Sequence, residues 1–359
     1  MTPGPGVRQV ESAEEWDEFV GSAPEGHLLQ SFRWGELKAR HGWAVERLMA
    51  VADGAVAGAQ VFWRRTPLGP LAYVPRGPAV RPAGHREAAR ALLEALHRSA
   101  RARRATFLKI EPNSPDQSLW PPLGLRPSRH TFQPLATLVV DLADDLETLS
   151  MRQLGKTRYN TRLAVRKCVR VRQGSVADVE AFFRLLEETG QRDGFAIRSQ
   201  AYFRDMLEVL GDQAELLLAE HEGDLLAGII LGKFGQEAIY LYGASAGRKR
   251  NLMPAYLLQW EAIRRAREQG FARYDLWGVP PEVATDVTAG EKSLRLPAAR
   301  AQRRGDLWGV YRFKRGFGGR PQLYCGAYDY IYRPLAYALW ERALPHVRRW
   351  LRRSQGVGD

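Results

Sequence analysis

Residues 214–245 read AELLLAEHEGDLLAGIILGKFGQEAIYLYGAS. Apolar runs broken at HEGD and FGQE have the form of strands joined by tight turns. The next stretch, MPAYLLQWEAIRRAREQG (253–270), spaces its apolar residues for a helix, and FARYDLWGV (271–279) returns to strand character. Hairpin, strand, helix and strand in this order predict one α/β unit.

The same order occurs earlier. VERLMAVADG (45–54) and AVAGAQVFWRR (55–65) meet at Asp53-Gly54, a strong hairpin signal. LGPLAYVPRGP (68–78), a helix over about 85–105 and the strand ATFLKIEP follow. Ala57-Gly58 recurs as Ala227-Gly228, an offset of 227 − 57 = 170, and a polar residue inside the post-helix strand recurs as Lys109 and Asp275, 275 − 109 = 166. Two copies of one unit are therefore expected.

Around these copies, Ala13–Val20 reads as a helix with Ser12 as its cap, and Ser31 to about Arg40 as a second helix. TFQPLATLVVDL (131–142) supplies another strand. Residues 144–165 look helical and then basic, with Arg158, Arg162, Arg166, Lys167, Arg170 and Arg172 close together beside Tyr159 and Asn160. This is the pattern of a solvated helix face or of a phosphate- or RNA-binding one. A further helix is expected over 176–190, ending in the glycines of ETGQRDGF. Pro280 to Asp306 lacks periodicity and reads as a long surface loop. Residues 334–353 form a helix that ends in HVRRWLRR, whose basic, Trp350-bearing tip suits an anionic surface.

The chain has 359 residues, 45% hydrophobic and 26% charged, with a mean hydropathy of −0.36, the composition of a soluble globular protein large enough for two domains. Lys and Arg exceed Asp and Glu by 53 − 40 = 13, so a polyanionic partner is expected: RNA, a nucleotide diphosphate or anionic lipid. A general surplus of arginine reads the same way. The two cysteines, Cys168 and Cys325, lie in unlike contexts without zinc-ligand spacing, which fits a reducing cytoplasm. No window approaches the roughly 20 apolar residues of a bilayer span, so any membrane contact is made at the surface. There is no Walker A sequence, no GxGxxG and no compelling Ser-His-acid arrangement; GFGG at 316–319 follows Lys314 and Arg315 and forms either an anion-lining turn or only a tight one.

From about Leu28 to Trp340 the ordered blocks LLQSFRWGELKARHGW, LAYVPRGP, FLKIEP, QPLATLVVDL, RQLGKTRYNTRLAVRK, RDGFAIRSQAYF, AIYLYGAS, MPAYLLQWEAI, YDLWGVP and YRFKRGFGGRPQLYCGAYDY resemble the FemABX aminoacyltransferases. Members of that family extend the side chain of peptidoglycan precursors using aminoacyl-tRNA. The resemblance implies a mixed α/β fold of tandem acetyltransferase-like (GNAT-like) domains, mixed sheets flanked by helices, with domain 1 at 1–145 plus about 318–359 and domain 2 at 146–317. The helical arm that some members insert in domain 2 has no match here.

By the same resemblance, Lys38 of the WGxxK helix, Arg198 and Tyr202 hold the precursor's diphosphate, and Tyr242 lies in the same cleft. Tyr73 and Arg76 of LAYVPRGP and Asp275 complete the substrate-binding set; Asp275 is also the one candidate for a base, with a structural hydrogen-bonding role as its alternative. Phe313 and Lys314, before the GFGG turn, are the catalytic pair. A fixed ammonium at Lys314 would stabilise negative charge on the ester carbonyl oxygen and on the departing ribose oxygen. Some relatives carry an acidic residue just after the YxxxGP loop, where this chain offers Arg76 and no carboxylate, so no base is assigned there.

The implied reaction moves Gly, Ala or Ser from aminoacyl-tRNA, as co-substrate and without other cofactor, onto the stem-peptide amine of lipid II or UDP-MurNAc-pentapeptide. The implied setting is the cytoplasm, with peripheral contact at the inner membrane surface. The competing readings are an acetyl-CoA-dependent N-acetyltransferase, which lacks its Q/RxxGxG/A loop here, and a non-enzymatic tRNA- or membrane-binding protein using the 158–172 arginines.

Overall fold

The computed structural model describes residues 6–52, 54–82, 84–194, 196–288 and 307–353, without the side chains of 286–288 and 344–353. The chain divides into two compact units. Unit 1 takes Met1–Leu135 and Tyr324–Trp350; unit 2 takes Ala136–Leu323 and Leu351–Asp359.

Unit 1 opens with β1 (Gly6–Gln9), α1 (Ala13–Ser22), α2 (Phe32–Arg40), β2 (Ala44–Ala52), β3 (Ala55–Arg64), β4 (Leu71–Pro75), β5 (Ala79–Arg81), α3 (Arg86–Ala102), β6 (Phe107–Glu111) and β7 (Arg126–Pro127). Unit 2 begins with β8 (Ala136–Asp141), α4 (Leu146–Arg152), α5 (Gly155–Arg166), β9 (Arg170–Gln173), α6 (Val179–Asp193) and α7 (Gln200–Leu210). It continues through β10 (Ala214–His221), β11 (Asp224–Phe234), β12 (Glu237–Ser245), α8 (Pro254–Glu268), β13 (Arg273–Val279), α9 (Glu282–Thr288), α10 (Leu307–Lys314) and β14 (Arg320–Leu323). The chain then returns to unit 1 as β15 (Tyr328–Ile331) and α11 (Pro334–Arg353).

The sheet of unit 1 has the order β1-β2-β3-β4-β6-β15-β7, with β5 set against β3; that of unit 2 has the order β9-β10-β11-β12-β13-β8-β14. Matched in these directions, the two orders share every pairing sense. All neighbours are antiparallel except β4 with β6 and β12 with β13, which are parallel. Each parallel step needs a crossover, and one helix supplies it in each unit, α3 or α8. The sixth position is filled differently in the two: β8 is the first strand of its sheet in chain order, whereas β15 is the last of its own.

The repeated Ala-Gly pair has a steric cause. A Cβ at Gly58 in β3 would lie 2.4 Å from the ring of Phe19 on α1, and one at Gly228 in β11 would lie 2.6 Å from the ring of Phe182 on α6. Each hairpin thus leaves a bare spot on its face for an aromatic ring of a preceding helix. The repeated polar position is also structural. Lys109 of β6 is wholly buried and pairs with Asp329, its register partner on β15, at 2.8 Å. Asp275, its counterpart on β13, accepts a hydrogen bond from Thr137 on β8. The core of unit 1 packs Leu92 and Leu96 of α3 on Val61, Val74 and Leu108 of the sheet; that of unit 2 packs Leu258 and Ala262 of α8 on Leu217, Leu231 and Leu276.

Several sequence expectations are corrected. The first domain was expected to end at 145 and resume near 318, but β8 pairs with β13 and β14, which places 136–141 and 320–323 in unit 2. Residues 144–165 are two helices, because Leu154 is extended (ψ 142°) and gives its N–H to the Gly316 carbonyl at 2.9 Å. The Pro/Gly-rich start becomes β1 from Gly6, and part of the expected loop, Glu282–Thr288, is helical. The remainder of that loop, Asp53 of the hairpin signal and the Trp350 side chain lie outside the described residues. The hairpin itself is present: Ala52 pairs with Ala55, and Gly54 takes φ +76°.

Candidate active site

Lys38, Tyr73 and Arg76 fall in unit 1, and the other expected site residues in unit 2. In unit 2, α10 ends at Lys314, whose side chain is buried (4% exposed). Its Nζ donates to the Gly278 carbonyl at 2.8 Å and lies 5.7 Å from the ring centroid of Tyr240. Burial lowers its pKa to about 8, with nearby Asp275 acting against the fall. An ammonium so placed is poised to lose or regain its proton near neutral pH.

The carbonyl that holds Lys314 is aimed by a local distortion of β13. Pairing with β8 slips between Asp275 and Gly278, and Trp277 sits in the left-handed region at φ +63°. Asp275 maintains this shape: its carboxylate accepts the Trp277 N–H at 2.6 Å and the Thr137 hydroxyl. Asp275 was placed with the substrate-binding residues, with a structural hydrogen-bonding role as its alternative; fully buried, it makes the hydrogen bonds of that alternative and so positions the strand.

Phe313 meets Tyr256 and Phe317 edge-on, with centroids 5.1 and 5.2 Å away, and so anchors the turn that presents Lys314. The next glycine is obligatory: a Cβ at Gly316 would fall 2.1 Å from Thr157 Oγ1. Gly318, at φ +84°, closes the turn.

A second group forms where α7 meets β12. Ser199 caps α7 by accepting the Tyr202 N–H at 3.3 Å, which sets exposed Arg198 just before the helix and Tyr202 in its first turn. The Arg198 guanidinium is 5.5 Å from the Tyr202 ring centroid. Burial raises the Tyr202 and Tyr242 phenols, and Arg198 opposes the rise at both. Phe203 backs Tyr242 edge-on at 5.0 Å. Arg198, Tyr202 and Tyr242, chosen from separate sequence blocks, are thus one constellation: a cation beside two hydrogen-bonded phenols, suited to a phosphate or a sugar hydroxyl. Tyr240, two residues before Tyr242, was not singled out. Its hydroxyl occupies the space over Gly243, where a Cβ would lie 1.9 Å away, and burial lifts its pKa to about 12.

In unit 1, Lys38 lies half-buried near the end of α2, with Nζ 5.9 Å from the Trp34 ring and 6.0 Å from the Trp43 ring. The residues leading into α2 are fixed by Gln30, which donates to Pro75 O at 2.8 Å and accepts from Gln60 N at 2.8 Å. Tyr73 donates to Glu111 and accepts from Gln133 Nε2 at 2.8 Å. Arg76, at φ +48° and 2% exposed, stacks on Tyr324 at 3.8 Å and donates to Pro134 O at 3.1 Å. These contacts correct its expected role: Arg76 ties the loop down from within.

Glu111 is the carboxylate that the LAYVPRGP loop lacks. It arrives from the neighbouring strand, opposite Pro75, and accepts N–H groups from Phe132 and Gln133. Burial raises its pKa while the Tyr73 hydroxyl pulls it down. Among the described residues no cluster of His, Cys, Asp and Glu could hold a metal ion, and no helix is long and apolar enough to cross a membrane.

Comparison with known proteins agrees with this architecture. The FemAB family model matches residues 12–119, 127–224 and 220–344. A lipid II:glycine glycyltransferase of Staphylococcus aureus is 25% identical over an alignment of 421 positions, covering 94% of this chain and 95% of that protein. The alignment exceeds the 359 residues of this chain, so the relative carries insertions. The crystal structure of FemX superposes with a TM-score of 0.80 at 23% identity, covering 93% of this chain and 99% of that one. The structure of L-PGS from Bacillus licheniformis shares the fold more distantly, with a TM-score of 0.54 at 16% identity, covering 95% and 96%. A tandem GNAT protein from the clavulanic acid biosynthesis pathway gives 0.51 at 14%, covering 91% and 98%. With the doubled GNAT-like sheet, the buried lysine before its glycine turn and a family match along most of its length, the chain belongs to the FemAB family of aminoacyltransferases.

Proposed function

We propose that this protein transfers an amino acid of the Gly, Ala or Ser type from aminoacyl-tRNA to the stem-peptide side-chain amine of a peptidoglycan precursor. The observation that carries the reading is the buried Lys314 ammonium, held on the Gly278 carbonyl with its pKa near 8. The glycyltransferase relative supports the substrate class. The neutral acceptor amine attacks the ester carbonyl carbon, a C–N bond forms, and the carbonyl π pair moves onto oxygen. Collapse of this intermediate breaks the C–O bond to the terminal ribose. Lys314 offers its N–H dipoles to both oxygens as charge develops. With a pKa near the working pH, it also gives a proton to the departing ribose oxygen and is recharged by the proton the amine sheds, so that charge and protons balance.

The Arg198, Tyr202 and Tyr242 constellation of unit 2 suits the diphosphate and sugar of the precursor. Of the two forms of acceptor, the lipid-linked one is favoured. Leu335 and Leu339, one helical turn apart on α11, are 85% and 53% exposed, and the helix sequence ends RRWLRR. An exposed apolar pair on a helix whose sequence ends in cations suits peripheral contact with the cytoplasmic face of the membrane.

The test is incubation of purified protein with mixed charged tRNAs and each form of precursor, followed by mass spectrometry. Extension of the stem peptide by one residue mass, faster with the lipid-linked form, is expected. No extension with either form, or acetyl-CoA turnover without tRNA, overturns the reading.

A further inference from the structure

Unit 2 has another recess, apart from the residues described above. Helix α5 packs along α8, and between them opens a groove of about 700 Å³ whose lining includes Gln153, Arg158, Tyr159, Arg162, Arg166 and Trp260. Its chemistry is uneven. Arg162 and Arg166 are exposed, and Tyr159 is 56% exposed with the Arg166 guanidinium 5.7 Å from its ring centroid. The acid in the lining, Glu261, is held by Arg264 at 2.7 Å, which leaves the groove positive. Arg158 is committed to the Met151 and Gln153 carbonyls at 2.8 and 2.6 Å and so fixes the break between α4 and α5.

Gln153, the residue at that break, is 4% exposed, and its side-chain Nε2 has no hydrogen-bond partner among the described residues. A buried amide donor left unmatched costs about 1–3 kcal/mol, a cost that an acceptor reaching it from the groove would offset.

Guanidinium groups, an accessible aromatic face and a recessed amide donor together match single-stranded nucleic acid, whose phosphates, flat bases and base edges use all three. A membrane surface reaches protruding cations and leaves a recessed amide unmet. An apolar peptide segment would bury the arginines without satisfying them.

One wall of the groove is tied to the turn that carries Lys314. Leu154 donates to Gly316 O at 2.9 Å, and Thr157 fills the space beneath Gly316, two residues beyond Lys314. The first turn of α5 is therefore locked to the turn that carries the ammonium.

We propose that the α5–α8 groove docks the acceptor end of the aminoacyl-tRNA, with Arg162 and Arg166 on phosphates, Tyr159 as a stacking platform and Gln153 Nε2 donating to a base or ribose oxygen. This inference rests on the aminoacyl-tRNA reading above and goes beyond it by assigning the RNA a site.

The test uses the full chain and a labelled RNA minihelix ending in single-stranded NCCA, followed by fluorescence anisotropy over a salt series, beside the transfer assay. Arg162→Glu with Arg166→Glu is expected to weaken minihelix binding roughly tenfold or more and to reduce the log–log salt slope by about two. Tyr159→Ala is expected to weaken it about tenfold with little change in slope. In transfer, the KM for aminoacyl-tRNA rises in both variants while kcat and the KM for the precursor are retained, the split expected of lost RNA binding and not of a damaged fold.

Wild-type protein that does not bind the minihelix overturns the inference. So do variants that keep wild-type minihelix affinity and KM for aminoacyl-tRNA, and variants that lose only binding to anionic vesicles. If the variants lose minihelix binding but no charged tRNA supports transfer by the wild type, the groove stands as an RNA site and the proposed reaction falls. If the wild type transfers and the variants match it, the reaction stands and the groove assignment falls.

Discussion

Lys314 Nζ and the Gly278 carbonyl oxygen, 2.8 Å apart, join the end of α10 to the end of β13 and leave the ammonium's other N–H groups for the reaction. Lys314→Met keeps the length and apolar stem of the side chain while removing its charge. It should cut kcat by roughly 10²-fold or more with the precursor KM little changed, since the lost interaction forms chiefly in the transition state. Lys314→Arg should not restore the rate, because a planar guanidinium neither fits the lysine's place nor gives up a proton near neutral pH. Steady-state kinetics with saturating precursor check both.

The pH profile follows from the same group. Its active form is the ammonium, and its pKa is lowered to about 8, so kcat should fall as pH rises through about 8. Asp275 supports that charge, so Asp275→Asn should move the descending limb to lower pH, and Lys314→Met should abolish the limb. A profile unchanged in Asp275→Asn would mean that Asp275 acts on the site only through Trp277.

The glycine of each hairpin offers a test of the fold. Gly228→Ala sets a methyl group 2.6 Å from the Phe182 ring and should destabilise unit 2 by about 1–3 kcal/mol. Adding Phe182→Leu should recover part of the loss, since the two residues share one space. Thermal unfolding of the single and double variants measures the coupling.

In unit 1 the buried pair of Lys109 and Asp329 is the corresponding test. Tyr337 of α11 also donates to Asp329, at 2.6 Å. Lys109→Met leaves the aspartate buried without its cation and should cost about 3–5 kcal/mol, whereas Lys109→Met with Asp329→Leu should cost less than the single change. Denaturant titration should place the double variant between the single variant and the wild type.

The long hairpins, the crossover helices and the duplication were legible because each rests on local signals: turn residues, apolar period and an offset that recurs. The edge strands β1 and β9 were not, since their four residues are mostly exposed and carry no apolar alternation. The site divides in the same way. Lys314 and Phe313 stand beside a readable glycine turn. Glu111 reaches Tyr73 only through the parallel pairing of β4 with β6, which brings together residues on either side of α3. Asp275 and Arg76 were legible as polar residues in notable places, but their burial depends on a left-handed Trp277 and on a Tyr324 ring from far along the chain. No local pattern encodes either.

The sixth strand of unit 1 also sets an order of assembly. Residues 136–323 are complete, with β8 already in place at their start, before β15 is synthesised. As the chain leaves the ribosome, the sheet begun first is finished last. Until residues 328–331 emerge, β6 has an open edge and Lys109 lacks Asp329. A chain that stops short of β15 can close the sheet of unit 2 while leaving that of unit 1 unsealed, so β15 marks the point in synthesis at which both sheets have all their strands.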